Sequence, residues 1–119
     1  MANILIVDDS RTSRRILRSI LEEDGHVIVG EATNGQEGFE QYMSLKPDIV
    51  TMDITMPVMT GVEALKKIIE ADSNAKVVMV SAAGQQHNML EAVQSGAADF
   101  ISKPFDVDTI KNMVKKIVG

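Results

Sequence analysis

The chain has 119 residues, 45% of them hydrophobic and 24% charged, with a net charge of −5, 3% aromatics, no Trp and no Cys. That length suits one domain around a single core. The charge argues against nonspecific binding to nucleic acid or anionic membranes, the missing cysteines exclude disulfides and thiolate chemistry, and so few aromatics leave little for a base-stacking platform.

Met1-Ala2-Asn3 leads straight into the apolar run Ile4-Leu5-Ile6-Val7, which stops at Asp8-Asp9. With no basic region followed by an apolar one, no signal peptide is expected. No apolar stretch nears the roughly 20 residues that span a bilayer. Together with the absence of cysteine, this makes the cytoplasm the expected compartment. The periodicity then predicts a helix from Thr12 to Asp24 with Ile16, Leu17, Ile20 and Leu21 on its buried stripe. Gly25 follows it as a left-handed terminator. The cluster Arg11, Arg14, Arg15, Arg18 reads as a solvated face of that helix, with a docking patch for an acidic partner or a phosphate-bearing surface as the second reading.

Val27 to Ala32 is the second predicted strand, and His26 before it an exposed loop residue. Asn34, with Glu37 three residues on, caps a second helix that ends near Leu45, ahead of Pro47. Ile49-Val50-Thr51-Met52 stops at Asp53. A loop with Met56, Pro57 and Met59 follows, and Thr60 and Glu63 form a capping box for a third helix burying Val62, Leu65, Ile68 and Ile69. Val77 to Val80 stops at Ser81; a fourth helix carries Met89, Leu90, Ala92 and Val93 and closes at Gly96. His87 reads as an exposed residue. Phe100-Ile101-Ser102 stops at Lys103-Pro104, and Asp106 or Asp108 caps a fifth helix with the stripe Ile110, Met113, Val114 and Ile117. Met52, Met79, Met89 and Met113 are expected in the core; Met56 and Met59 are the methionines to watch near Asp53.

Runs apolar on both faces are how parallel strands read. Regular strand–helix alternation implies an α/β fold, a doubly wound parallel sheet covered on both sides. Five units without a dinucleotide fingerprint favour the flavodoxin-like order 2-1-3-4-5, whose switch point lies between strands one and three. Ligands in such sheets bind beyond the carboxyl ends of the strands. That edge receives Asp8, Asp9, Asp53, Ser81 and Lys103. Two carboxylates about 4 Å apart repel by roughly 4 kcal/mol at an effective dielectric near 20. Three must gain a proton or a cation, or cost stability. Hard oxygen donors partly open to water suit Mg²⁺, with Mn²⁺ or Ca²⁺ as substitutes; with only two His, zinc does not fit. A metal held on one side leaves its outer face for a phosphoryl group, towards which Lys103 and Ser81 supply donors. Asp53, the central carboxylate, is the candidate nucleophile for an aspartyl phosphate.

Each feature has a plainer reading on its own: a solvated turn for Asp8-Asp9, a cap for Asp53, a turn hydroxyl for Ser81, a surface lysine for Lys103. The specificity lies in their falling at successive strand ends. Val7-Asp8-Asp9-Ser10, Met52-Asp53-Ile54-Thr55-Met56-Pro57, Ser81-Ala82-Ala83 and Lys103-Pro104-Phe105 together resemble the signature of the response-regulator receiver domain. Within it the segments Thr51 to Pro57 and Gly84-Gln85-Gln86 are similar to the stand-alone chemotaxis regulators. The resemblance implies a single receiver domain over residues 1–119. It implies Asp53 as phosphoacceptor, Asp9, Asp53 and the Thr55 carbonyl as direct Mg²⁺ ligands with Asp8 reaching the metal through water, and Ser81 and Lys103 on the phosphoryl oxygens. It also implies a cis Lys103–Pro104 bond, room for the phosphoryl group at Ala82, and a tuning role for Thr55 and Ala83 in its lifetime. Ser81 and Phe100 would form the switch, Phe100 standing where enteric chemotaxis regulators carry Tyr. The surface that changes would be the fourth helix, fifth strand and fifth helix.

The function so implied is a two-component signalling switch rather than a turnover enzyme. Its expected partners are a histidine kinase, an effector such as a flagellar motor switch component, and a phosphatase, with no nucleic acid or membrane, and the chain a monomer. A phosphorelay intermediate and a stand-alone phosphoryl-transfer enzyme are the alternatives. For the latter, Asp53-Ile54-Thr55 lacks the second Asp of the haloacid-dehalogenase-type phosphatases. A flavodoxin-like FMN module is disfavoured because Asp8-Asp9 would repel its phosphate.

Overall fold

The computed structural model describes residues 1–54, 56–82, 84–85 and 88–118. Strands and helices alternate through β1 (Asn3–Val7), α1 (Arg11–Glu23), β2 (Val27–Ala32), α2 (Gly35–Leu45), β3 (Ile49–Asp53), α3 (Gly61–Ala71), β4 (Val77–Ser81), α4 (Met89–Gln94), β5 (Asp99–Ser102) and α5 (Val107–Val118). The strands form one parallel sheet in the order β2-β1-β3-β4-β5. This is the expected flavodoxin-like (βα)5 arrangement, and it sets β1 beside β3.

Alternation along each strand divides the core between the two faces of the sheet. Leu5, Val7, Val50, Met52, Val77 and Met79 pack with Tyr42, Leu65 and Ile68, placing α2 and α3 on one side. Ile4, Ile6, Ile49, Val78, Val80 and Ile101 pack with Leu17, Leu21, Ile110 and Val114, placing α1 and α5 on the other. Every residue of β3 and β4 is buried, as strands covered on both faces must be.

The helix starts follow from local chemistry. The side chains of Ser10 and Asn34 accept from the main-chain N–H groups of Ser13 and Glu37. Thr60 and Glu63 form the reciprocal capping box. At α5 it is Asp106, not Asp108, that caps: its carboxylate accepts from Thr109 N–H at 2.9 Å. Each bond satisfies an N–H that the helix itself leaves without a partner.

Several core expectations change. Ile16 is 46% exposed, so the buried stripe of α1 is only Leu17, Ile20 and Leu21. In α4, Met89, expected in the core, is half-buried; Ala92 is the buried residue, and Leu90 and Val93 are exposed. Ile69 and Ile117 are half-buried packing residues at the core margins. Met56 belongs to the core, whereas Met59 is half-buried. His26 is no loop ornament: its side chain is 10% exposed, its Nδ1 accepts from Ala2 N–H at 3.0 Å, and its Nε2 lies 3.3 Å from Asp24.

The candidate phosphotransfer site

Because the strands are parallel, their carboxyl ends lie on one edge, and the chemistry of the chain collects there. Val7 closes β1 and hands the chain to Asp8, whose N–H donates to Ala32 O at 3.0 Å. The Asp8 carboxylate turns back to accept Ser10 N–H at 2.8 Å, and Ser10 in turn caps α1. Asp53 ends β3, opposite Val80 of β4. One carboxylate oxygen from each of Asp8, Asp9 and Asp53 lies within 4.8 Å of the others. Asp8 and Asp53 are buried; Asp9 is exposed. The donor set is all oxygen, carries three charges and opens to water on the Asp9 side. That suits a hard divalent cation retaining water ligands.

Lys103 enters from the far side. Ser81 pairs with Ser102 across β4 and β5, and Lys103 N–H donates to Ser81 O at 2.9 Å. The Lys103–Pro104 peptide is cis, as the resemblance implies. Lys103 Nζ lies 3.0 Å from Asp8 Oδ2 and 3.9 Å from Asp53 Oδ1. The ammonium therefore sits closer to Asp8 than to the central carboxylate, Asp53. One ammonium does not offset three carboxylates. Burial, then the Asp8 charge, raise the Asp53 carboxyl to about 7; Lys103 opposes them, and Asp9 adds to the rise.

The geometry thus brings Asp8, Asp9, Asp53 and Lys103 together, with Ser81 buried at the adjacent strand end. Ala82 follows it half-buried, its N–H donating to Gln85 Oε1 at 2.8 Å. Phe100, on β5, is half-buried against the α2/α3 side of the core. Thr55, expected to add a carbonyl to the metal, lies outside the described residues, as do Ala83, Gln86 and His87.

Two residues of the neighbourhood escaped the sequence reading. Arg14 is no solvated arginine: its side chain is 14% exposed, Nη1 donates to Asp8 O at 2.7 Å, and Nε to Glu31 Oε1 at 3.0 Å. Glu31, on β2, also receives Arg18 Nη1 at 2.6 Å. Burial works to raise the Glu31 carboxyl, but the two guanidinium groups outweigh it and hold the carboxyl below the usual carboxylate range. A signal was present: all four arginines of the chain fall in the first two turns of α1. The last turn holds no basic residue. That charge order opposes the helix dipole.

Comparison with known proteins places this geometry in context. The model of the response regulator receiver domain matches residues 4–115. The chain is 49% identical over 114 residues to the chemotaxis protein CheY of Thermotoga maritima, covering 96% of this chain and 95% of that protein. It is 47% identical over 116 residues to CheY of Bacillus subtilis, covering 98% and 97%. Among solved structures, the CheX–CheY–BeF3–Mg²⁺ complex from Borrelia burgdorferi matches with a TM-score of 0.92 at 38% identity, over 98% of this chain and 89% of that one. Sequence, strand order and the acidic edge agree, and the chain belongs to the response regulator receiver domain family.

Proposed function

We propose that the chain is a phosphorylation-activated switch of a two-component system. Asp53 accepts a phosphoryl group from a histidine kinase in a Mg²⁺-dependent reaction, and the phosphorylated form binds an effector. The observation that carries this reading is the convergence of three carboxylates beside an ammonium at the β1/β3 switch point. Asp8, Asp9 and Asp53, with the main-chain carbonyl of Thr55, are the proposed metal ligands. A bound Mg²⁺ would neutralise the phosphoryl oxygens and the crowded carboxylates together.

In the proposed reaction an ionised Asp53 oxygen attacks phosphorus, forming an acyl phosphate while the P–N bond to the imidazole breaks. The freed nitrogen takes its proton from solvent. The Lys103 ammonium turns from Asp8 to a phosphoryl oxygen, and the Ser81 hydroxyl donates to another. Those contacts favour an active arrangement in which Phe100 repacks. Moving a two-state equilibrium from 1:99 to 99:1 takes about 5.5 kcal/mol, and charge-assisted hydrogen bonds of about 1.5–3 kcal/mol each supply much of it.

The kinship with CheY proteins supports chemotaxis as the pathway, with a flagellar motor switch component as effector. The CheX–CheY complex among the structural neighbours supports a CheX-like partner. We place the chain in the cytoplasm as a monomer that catalyses its own phosphorylation and dephosphorylation and is not a turnover enzyme. Among the described residues no helix is long and apolar enough to cross a membrane. The test is amide NMR with Mg²⁺ and beryllofluoride on wild type and Asp53→Asn. Shifts centred on Asp53, Ser81, Phe100 and Lys103 in wild type alone are expected. Equal responses in both proteins would remove Asp53 from its role.

A further inference from the structure

We infer that Arg14 is a positioning residue for the acidic site: it fixes the Asp8–Asp9 peptide, and so the direction in which Asp9 presents its carboxylate. The inference rests on the metal-site reading above. Asp8 is anchored through its own carboxylate, which holds Ser10 N–H and Lys103. Asp9 is exposed and sits in the turn between β1 and α1, outside both elements. The Asp8 carbonyl belongs to the peptide that joins the two acids. Arg14 Nη1 donates to that carbonyl at 2.7 Å, and Nε of the same planar group donates to Glu31 at 3.0 Å. A guanidinium can grip two partners in one rigid plane. Glu31 is itself held by Arg18 at 2.6 Å, so the clamp is backed from β2. The chain of contacts runs Arg18, Glu31, Arg14, Asp8 carbonyl, and it pins the turn from the side facing away from Asp53.

Helix stability does not explain the arrangement. Arginines in the first turns of a helix face the positive end of its dipole, and α1 has no acidic residue in its first turn to compensate. A guanidinium largely withdrawn from water, hydrogen-bonded to one main-chain carbonyl between two metal-ligand candidates, is the kind of outer contact that orients ligands.

Electrostatics and positioning give opposite signs, which makes the inference testable. Removing a cation near a cation site should strengthen Mg²⁺ binding if charge alone matters. Removing the clamp should weaken it. Mg²⁺ is titrated into wild type, Arg14→Gln, Arg14→Lys and Arg15→Gln, following amide shifts, with urea midpoints measured in parallel. Arg15 is exposed and has no contact with the Asp8 carbonyl, so its variant reports the charge effect. We expect about 10-fold weaker Mg²⁺ binding in Arg14→Gln. A partial loss is expected in Arg14→Lys, which keeps the charge but not the fork, and unchanged or tighter binding in Arg15→Gln. The Asp9 amide should shift in both Arg14 variants before metal is added. Mg²⁺ binding as tight in Arg14→Gln as in Arg15→Gln, with wild type binding normally, would overturn the clamp. Arg14→Lys tests the same point should the glutamine variant unfold. Absence of Mg²⁺ binding in wild type would instead overturn the metal-site reading itself.

Discussion

With Asp53 raised to about 7, burial and the Asp8 charge leave the metal-free protein holding a proton that the unfolded chain would release near the ordinary aspartate value of 3.8. A carboxyl raised on folding contributes stability below its unfolded value and loses it as pH rises through the folded one. Wild type without metal should therefore weaken between about pH 4 and pH 7, relative to a variant that cannot ionise there. Asp53→Asn should be more stable than wild type at pH 7.5 by about 2–4 kcal/mol, the shift converted at 1.36 kcal/mol per unit, and the gap should close towards pH 4. Urea unfolding in chelator at both pH values checks it. Mg²⁺ competes with that same proton, so its affinity should rise from pH 6 to pH 8, as isothermal titration would measure. A second residue-scale prediction lies beneath the site. The Thr51 hydroxyl is buried and lacks a hydrogen-bond partner among the described residues. Thr51→Val keeps the shape and removes the stranded polar group, so it should stabilise by about 1–2 kcal/mol in urea unfolding.

At the scale of elements, the loop between β3 and α3 fixes Asp53 through close backbone contacts. Gly61 N–H donates to Ile54 O at 2.7 Å, and a Cβ at Gly61 would land on the Asp53 carbonyl oxygen. Gly61→Ala must push α3 away from the end of β3. It should cost about 1–3 kcal/mol, in the range of overpacking, and displace the Asp53 and Ile54 amide resonances. Val58, 84% exposed, adopts φ +69, with Met59 N–H bonded to Pro57 O at 2.8 Å. That i to i+2 bond is the pattern of a strained γ-turn, which a β-branched residue enters at a cost. Val58→Asn should stabilise by about 1 kcal/mol. The sequence announced the caps at Asn34 and Thr60 because an N-cap is chemistry between residues three apart. It did not announce the left-handed Val58, since valine carries no local preference for that conformation. Nor did it separate Ile16 and Met89 from the fully buried core. Periodicity marks a face of a helix, while burial depends on which part of that face the sheet covers.

The whole molecule explains why the convergence of the candidate residues on one edge was legible. A parallel sheet sends every strand's carboxyl end to one edge, so residues 8, 53, 81 and 103 become neighbours once the strand order is known. Strand–helix alternation without a dinucleotide fingerprint favours that order without any knowledge of side-chain contacts. Contacts set by tertiary geometry were silent: the Arg14 clamp joins α1, the β1 turn and β2, and the nearer approach of Lys103 to Asp8 than to Asp53 depends on how β5 delivers the chain. The two faces of the sheet hold separate core clusters, and the acidic edge lies where both end. The most direct measurement is intact-mass spectrometry of the chain after incubation with phosphoramidate and Mg²⁺, with peptide mapping. One phosphoryl group is predicted on Asp53, not formed when chelator replaces Mg²⁺ and absent from Asp53→Asn. A phosphoryl group that maps elsewhere in wild type, or forms equally well without divalent cation, would contradict the account.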